Sequence, residues 1–387
     1  MSDTGTDERA TFGEADRGTP LSPAATADRV AMLDDDDATI RGRQLPTCDR
    51  LDAPPPRTRL SRLAFAAAWC VTIALLMVAA LRILCHDATV PLMWLNAFTL
   101  YIYLPAYAVL AIAAWKRHWW LATASVVVVA CHLTWVAPDF RPATPYVLPS
   151  TSATQAPGQV RIFYANVFGQ NHEFGAMINE AIRADADVIV VAELTRPSVK
   201  ELARSEAIKA YHYGTNLARR HAGDINVYSR LPVNRMQLIV SRNRVCIVVD
   251  LVLGNETLRL ICVHSPKPLL DGANNYALFW QQMLPIIAEQ LEPLVVIGDF
   301  NATQHSLVYK QLTSGRLRSA HEDRGRGYAM TWPNGQWPLP PLRIDQALLS
   351  PQVECVSIVE GEGPGSDHKP LILDLRVHAS EPSEPVR

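Results

Sequence analysis

The stretch from Leu63 to Leu84 is apolar except for Thr72 and Arg82. At about 1.5 Å of helical rise per residue it is long enough to cross a hydrocarbon core of about 30 Å. Pro91 to Trp115 is a second such run and Trp119 to Val136 a third, with Trp94, Tyr101, Tyr103, Trp115, Trp119, Trp120 and Trp135 mostly near the run ends, where interfacial aromatics belong. These runs predict three transmembrane helices, over about 63–85, 91–115 and 119–136, in a region covering 57–137. The first run lies too far from the N-terminus and is too long for a cleaved signal peptide. Arg82 sits near a helix end, where its charge can snorkel to the interface. Three helices with no membrane-embedded acid pair offer little pathway for a transporter.

Basic residues orient the spans. Arg57, Arg59 and Arg62 precede the first helix, and Lys116 and Arg117 separate the second from the third, whereas the first loop carries Asp87. The positive-inside rule places both basic flanks in the cytoplasm. With three crossings the N-terminus is cytoplasmic and everything after Val136 is extracytoplasmic, in a multi-pass protein of the cell membrane.

The remaining boundaries follow composition. Residues 1–56 are polar, carry the Asp34 to Asp37 run and lack hydrophobic periodicity, so a disordered acidic tail is expected. Residues 138–158 are Pro-rich and read as a semi-extended linker. Residues 159–377 form one domain of ample size for a core, and 378–387 a second disordered tail. Acidic and basic residues nearly balance, giving a formal net charge of −2 for the whole chain. No broad basic surface for gripping duplex phosphates is evident. No zinc-type cysteine spacing appears, and Cys246, Cys262 and Cys355 sit inside strand-like segments as expected of buried free thiols.

Within the domain, strand-like runs alternate with helical patterns at Glu173 to Ala184, Ser198 to Lys209 and Tyr276 to Leu291, and a tight Gly254-Asn255 turn joins two strands as a hairpin. Hairpins mixed with crossovers point to layered sheets with helices outside. Polar residues recur at the strand ends: Asn166, Glu193, His264, Asp299, Asn301, Asp345, Asp367 and His368. Asp299 and Asn301, two apart in GDFN, would share one face of an extended strand and grip one water. Each residue has an ordinary reading, as a turn former or, for Asp345, as an ion-pair partner of Arg343.

The segments RIFYANV, VIVVAEL, LICVHSPKP, VVIGDFNAT, RIDQALLS and GSDHKPLIL resemble, in order, the successive motifs of the endonuclease/exonuclease/phosphatase family, whose fold is that of DNase I. The resemblance covers essentially all of 159–377. It implies a four-layered α/β/β/α sandwich, here preceded by three transmembrane helices. It also implies a divalent metal, Mg²⁺ with Mn²⁺ as the alternative, at the mouth between the sheets.

By the same resemblance Glu193 is a metal ligand, assisted by Asn166 and Asp367, a set of oxygen donors that suits a hard cation. Asp299 activates the attacking water and Asn301 orients water or phosphate. His368 stabilises the phosphoryl oxygens, Asp345 fixes its tautomer, and His264 meets the phosphate or leaving group. Asn166, Lys267 and Trp332 fall to substrate binding, Trp332 within the segment Gly325 to Leu342 that also holds Trp337. Where abasic-site endonucleases carry an acidic residue two positions after the first asparagine, this chain has Phe168.

The function implied is a membrane-anchored, metal-dependent hydrolase of phosphoester bonds, a phosphodiesterase or phosphatase acting by activated-water attack. Tethering and near-neutral charge favour a small or lipid-linked phosphoester. Membrane-bound members linked to glycopeptide-antibiotic resistance point by analogy to an envelope lipid pyrophosphate. An extracytoplasmic nuclease is the alternative within the class, and a non-catalytic membrane-tethered binding module the alternative outside it. The expected partners are the lipid bilayer and a lipid-linked, small-molecule or nucleic-acid substrate, with no protein partner indicated.

Overall fold

The computed structural model describes residues 58–142, 158–214, 225–291, 293–335 and 338–378. The acidic tail, most of the linker, Trp337 and the C-terminal tail lie outside them. Five helices come first: α1 (Arg59–Cys85), α2 (Val90–Ala97), α3 (Thr99–Ile102), α4 (Leu104–Trp115) and α5 (Trp119–Val136). Two helical stretches, Arg59–Cys85 and Trp119–Phe140, are each long and apolar enough to cross a membrane. The expected second span is broken, since α2 is bent by 71° from the stretch that follows it. Pro105, in the first turn of α4, lacks the N–H that would continue a helix. Asn96 and Thr99 flank the bend and turn inward to a buried charge.

That charge is Arg82. It does not snorkel. Its side chain is buried, with Nη1 donating to Asn96 Oδ1 at 3.1 Å and Thr99 Oγ1 at 2.5 Å, and its guanidinium lies 4.7 Å from the Trp135 ring. Packing fixes the bundle's sense. The Phe65 and His118 rings meet at 4.7 Å at one end. At the other, Leu75 and Ala79 of α1 cluster with Tyr103, Val128 and Trp135. Thus α1 and α5 run the same way and α4 returns between them, which puts Arg59 and Arg62 at the same end as Lys116 and Arg117. Buried Thr72 and Ser125 join α1 to α5 at 3.4 Å.

The domain then runs β1 (Gln159–Asn166), α6 (Phe174–Arg183), β2 (Val188–Ala192), α7 (Arg196–Arg204), β3 (Tyr213–Gly214), β4 (Asn226–Ser229), β5 (Val233–Ser241), β6 (Arg244–Leu253), β7 (Glu256–His264), α8 (Ala273–Ala288), β8 (Leu294–Asp299), α9 (Leu307–Thr313), β9 (Arg318–Ser319), α10 (Ala320–Asp323), β10 (Asp345–Leu349), β11 (Val353–Glu360) and β12 (Leu371–Val377). Its described strands make two sheets, ordered β11-β12-β1-β2-β4-β3 and β5-β6-β7-β8-β10-β9. The β6–β7 hairpin closes at Gly254-Asn255 as expected, pairing Leu253 with Glu256.

Alternation sorts side chains into layers. On β1, Val160, Ile162 and Tyr164 face the core between the sheets, while Phe163 and Ala165 face α6 and α7. On β8, Val295 and Ile297 face inward while Leu294 and Val296 pack under α8 and α9. Because both strands are covered on both faces, they read as continuous apolar runs. Burial of α8's Phe279, Trp280 and Met283 contributes about 1.5–3 kcal/mol each. The result is the four-layered α/β/β/α sandwich.

The linker does not begin as a spacer. Ala137–Phe140 form a 3₁₀ turn that docks on the domain, with Gln304 Nε2 donating to Asp139 Oδ2 at 3.1 Å and Phe140 stacked on Tyr328.

Gly298 shows how tightly the active edge is packed. It lies beside Val263 in the parallel β7–β8 ladder with φ 151°, and a Cβ there would run into the Val263 carbonyl. Gly298→Ala is therefore expected to destabilise the domain by about 2–3 kcal/mol. Thermal unfolding of the full chain in detergent would check this, and an unchanged midpoint would contradict the close approach.

Candidate active site

Each sheet contains one parallel pair, β1–β2 and β7–β8, and parallel neighbours end together. Asn166 ends β1 one residue pair from Glu193, which follows β2, and His264 ends β7 directly opposite Asp299 on β8. On the other side of Asp299, antiparallel β10 begins with Asp345 in register. Asp367 and His368 lie just before β12, the antiparallel neighbour of β1. Seven of the predicted residues thus meet at the shared edge of the two sheets.

Asn166 bridges the sheets. Its Nδ2 donates to Glu193 Oε1 at 3.0 Å and to Asp299 Oδ2 at 3.1 Å, while its Oδ1 accepts from the Phe168 N–H at 3.1 Å. The backbone donor sets the amide's orientation, so Asn166 presents its NH₂ to the carboxylates. Lys267 Nζ lies 2.8 Å from Glu193 Oε1, and His264 Nε2 3.5 Å from the same oxygen. Burial alone would raise the Glu193 pKa, but His264 and Lys267 together hold the carboxyl far below its ordinary range.

Asp299 is fully buried, and burial followed by the Asp345 charge raises its pKa. His368 Nδ1 bonds Asp345 Oδ2 at 2.8 Å, leaving Nε2 3.9 Å from Asp299 Oδ2. Burial disfavours the imidazolium, but the Asp345 charge and hydrogen bond outweigh it and push the His368 pKa up to about 10. Asp345 therefore serves His368 and not Arg343, whose Nη1 donates to the Gly327 carbonyl at 2.9 Å.

One residue sits differently from the sequence-based expectation. Strand β8 ends at Asp299, and Asn301 turns into the left-handed region at φ 47°, so the two do not share one strand face. Instead the Asn301 N–H donates to Asp299 Oδ1 at 2.8 Å and its side-chain amide donates to the Ser265 carbonyl at 3.2 Å. Trp332 donates its indole N–H to Asp367 Oδ2 at 3.1 Å, which ties the Gly325 to Leu342 segment to the site edge. Glu193 and Phe168 also adopt positive φ, at 60° and 59°. Such residues cost about 1–2 kcal/mol each, held here by bonds back into the cluster such as Gly169 N–H to Glu193 Oε2 at 3.2 Å.

Sequence reasoning missed the residues that brace this arrangement. Thr331 Oγ1 accepts from the N–H groups of Ile344 and Asp345, both at 3.2 Å. Ser366 Oγ donates to the Asn166 carbonyl at 2.7 Å and accepts from the His368 N–H at 3.0 Å. Tyr164 lies fully buried beneath the site, its phenol held neutral by burial and by the charges of Asp345, Asp299 and Glu193. Only Ser366 carried a signal, its place inside GSDH.

The donors fit a hard divalent cation. Glu193, His264 and Asp299 bring one donor atom each within 4.8 Å of one another, and so do Asp299, Asp345 and His368. Asp367 lies outside both groups, its Oδ1 4.0 Å from His368 Nε2. Four carboxylates, Glu193, Asp299, Asp345 and Asp367, face two cationic side chains, Lys267 and His368. That excess of acidic oxygen is what such an ion requires.

A buried carboxylate of raised pKa beside an acid-paired imidazolium suits displacement at phosphorus, where charge neutralisation and water activation dominate. The class is that of phosphoester hydrolases. A profile of the Endonuclease/Exonuclease/phosphatase family matches residues 163–368, a little over half of the chain, and the chain belongs to that family. It is accordingly a divalent-metal-dependent enzyme acting on phosphoester bonds. No curated protein matches the chain.

Solved structures similar to it include D. rerio TDP2 with a single-strand DNA product, at 17% identity and TM-score 0.48 over 57% of this chain and 99% of that one. Sphingomyelinase C from Streptomyces griseocarneus is similar at 15% identity and TM-score 0.43, over 56% and 99%. A mannosyl-6-phosphatase from Bacteroides thetaiotaomicron is similar at 15% identity and TM-score 0.44, over 56% and 99%.

Asp345→Asn is expected to lower turnover by about 100-fold or more, because it removes the charge that keeps His368 protonated. The raised pKa keeps His368 cationic below about 10 and releases the proton as pH rises through that value. The alkaline limb of the pH–rate profile should therefore move toward acid in the variant. Superimposable alkaline limbs would show that Asp345 does not control the charge of His368.

Proposed function

We propose that this enzyme is a membrane-anchored phosphoester hydrolase whose catalytic edge faces the extracytoplasmic side and whose substrate is a lipid-linked phosphoester, such as an envelope lipid pyrophosphate. The observation that carries the reading is the direct continuation of β8 from Asp299 into a segment gripped by the helix ends. Arg82 Nη2 donates to the His305 carbonyl at 3.4 Å, Asp87 Oδ2 accepts the Leu307 N–H at 2.6 Å, and Tyr101 OH donates to the Pro341 carbonyl at 2.7 Å. A soluble substrate gains nothing from such a clamp, whereas one confined to a bilayer is met at fixed height and angle. Exposed Leu269 and Leu270, just after Lys267, add an apolar lip. The orientation is supported by the basic flanks gathering at the bundle end away from the domain.

In this reading Asp299, oriented by the Asn166 amide and the Asn301 N–H, accepts the proton of the attacking water. His368, kept cationic by Asp345, neutralises charge growing on the phosphoryl oxygens, and Lys267 holds the phosphate. Glu193, whose donor atom groups with those of His264 and Asp299, would hold Mg²⁺ or Mn²⁺, which would supply Lewis-acid polarisation of a phosphoryl oxygen. For Asn166 to lend its Oδ1 as a ligand, the amide must turn over and give up the Phe168 N–H bond.

The test is phosphate and nucleotide release by the full chain in detergent, offered a polyprenyl pyrophosphate or single-stranded DNA with Mg²⁺ or EDTA. Release from the lipid is expected, with EDTA and Asp299→Asn each lowering it by about 100-fold or more and KM little changed in the variant. Metal-dependent cleavage of DNA alone would make the enzyme a tethered nuclease. Undiminished turnover in Asp299→Asn would sink the mechanism.

A further inference from the structure

The chain leaves β7 through a short turn that the catalytic scheme uses only in part. Lys267 reaches into the site, its Nζ 2.8 Å from Glu193 Oε1. Leu269 and Leu270 stand outside, 60% and 77% exposed. The turn is framed to hold them there. The Asp271 N–H donates to the Lys267 carbonyl at 2.8 Å, and the Asp271 carboxylate accepts the Lys267 N–H at 2.8 Å and Arg244 Nη2 at 2.5 Å. Asn275 Nδ2 donates to the Asp271 carbonyl at 2.8 Å, and Pro266 and Pro268 fix φ on either side of Lys267. A single exposed leucine is ordinary. An adjacent pair presented by a turn that is closed at both ends marks a surface made to meet an apolar partner.

Position says which partner. Strands β7 and β8 are parallel and end side by side, with His264 opposite Asp299. The segment after β8 is the one the helix ends grip, through Arg82 on the His305 carbonyl and Asp87 on the Leu307 N–H. The turn after β7 therefore leaves the domain on the side of the helical bundle. The helix that follows it, α8, lies there too. Met93 of α2 packs against the apolar cluster that holds Tyr276 and Phe279, and burial followed by the Asp87 charge raises the Tyr276 pKa. At that same level α1 stops at Cys85 and α5 at Val136. Apolar side chains presented beside the end of a membrane-crossing helix lie at the bilayer interface.

We propose that the Lys267–Asp271 turn is a membrane-insertion element, with Leu269 and Leu270 entering the leaflet at the domain end of α1 and α5. The partner is the apolar layer of the bilayer just beneath its headgroups. Because the same turn delivers Lys267 to Glu193, insertion sets the catalytic edge at headgroup height. The proposal rests on reading α1 and α5 as membrane spans, part of the function proposed above, and is independent of which phosphoester is cleaved.

The experiment is photo-crosslinking of the full chain in nanodiscs of dioleoylphosphatidylcholine. p-Benzoylphenylalanine replaces Leu270, Ile73 or Leu291, one at a time, and lipid adducts are counted by mass spectrometry after irradiation. Ile73, 51% exposed within α1, reports the acyl region, and Leu291, 72% exposed before the start of β8, reports the opposite end of the domain. All three side chains are exposed, so the replacements leave the fold intact. The Leu270 position should carry at least about ten-fold more lipid adduct than the Leu291 position and approach the Ile73 position. Labelling at Ile73 with Leu270 no higher than Leu291 would overturn the insertion and leave the spans standing. Absence of adduct at Ile73 would remove the span reading, and the proposal with it. A covalent dimer formed from the Leu270 position in place of a lipid adduct would assign the turn to a second copy of the chain and would also overturn the proposal.

Discussion

Everything at the catalytic edge is arranged around one buried carboxylate. Asp299 is fully buried, flanked in register by His264 on one side and Asp345 on the other, and touched from the opposite sheet by Asn166. A buried anion is tolerated only when the surrounding groups satisfy it. Here the Asn166 amide, the Asn301 N–H and the nearby His368 charge do so. The two sheets must therefore stay in their mutual register, because Asn166 belongs to one and Asp299 to the other. The same Asn166 side chain also touches Glu193, so one amide couples the Asp299 and Glu193 carboxylates across the two sheets.

Motifs were legible where chemistry occupies consecutive residues at a strand end. The GDFN and GSDHKP runs announced Asp299 and His368 because several acid, amide and imidazole side chains stand together there beside an apolar strand. What was lost is what those residues do locally. Asn301 was placed on the strand face by alternation, yet its positive φ ends the strand and makes it a brace for Asp299. Thr331 and Ser366 act through single bonds to backbone groups distant in sequence, and Tyr164 hides inside an apolar run. Such roles depend on partners that no local window contains.

The apolar N-terminal helices repeat the lesson on a larger scale. Hydropathy measures how apolar a run is and not whether its helix is continuous, so the 91–115 run concealed the break between α2 and α3. The polar residues at that break, Asn96 and Thr99, look incidental until Arg82 is found between them. Snorkelling was the natural reading of a helix-end arginine. The guanidinium turns inward because Asn96, Thr99 and the His305 carbonyl supply the hydrogen bonds that interfacial water would otherwise provide.

These two regions are joined by more than the chain between them. Asp299 and Asn301 lead within six residues to His305 and Leu307, whose backbone groups are held by Arg82 and Asp87 from the helix ends. Asp139, from the turn after α5, takes the neighbouring Gln304. A domain on a flexible linker samples many orientations, and a bilayer-bound substrate would meet its site only in a few of them. Clamping the segment that follows the catalytic strand removes that orientational entropy during folding, before any substrate arrives.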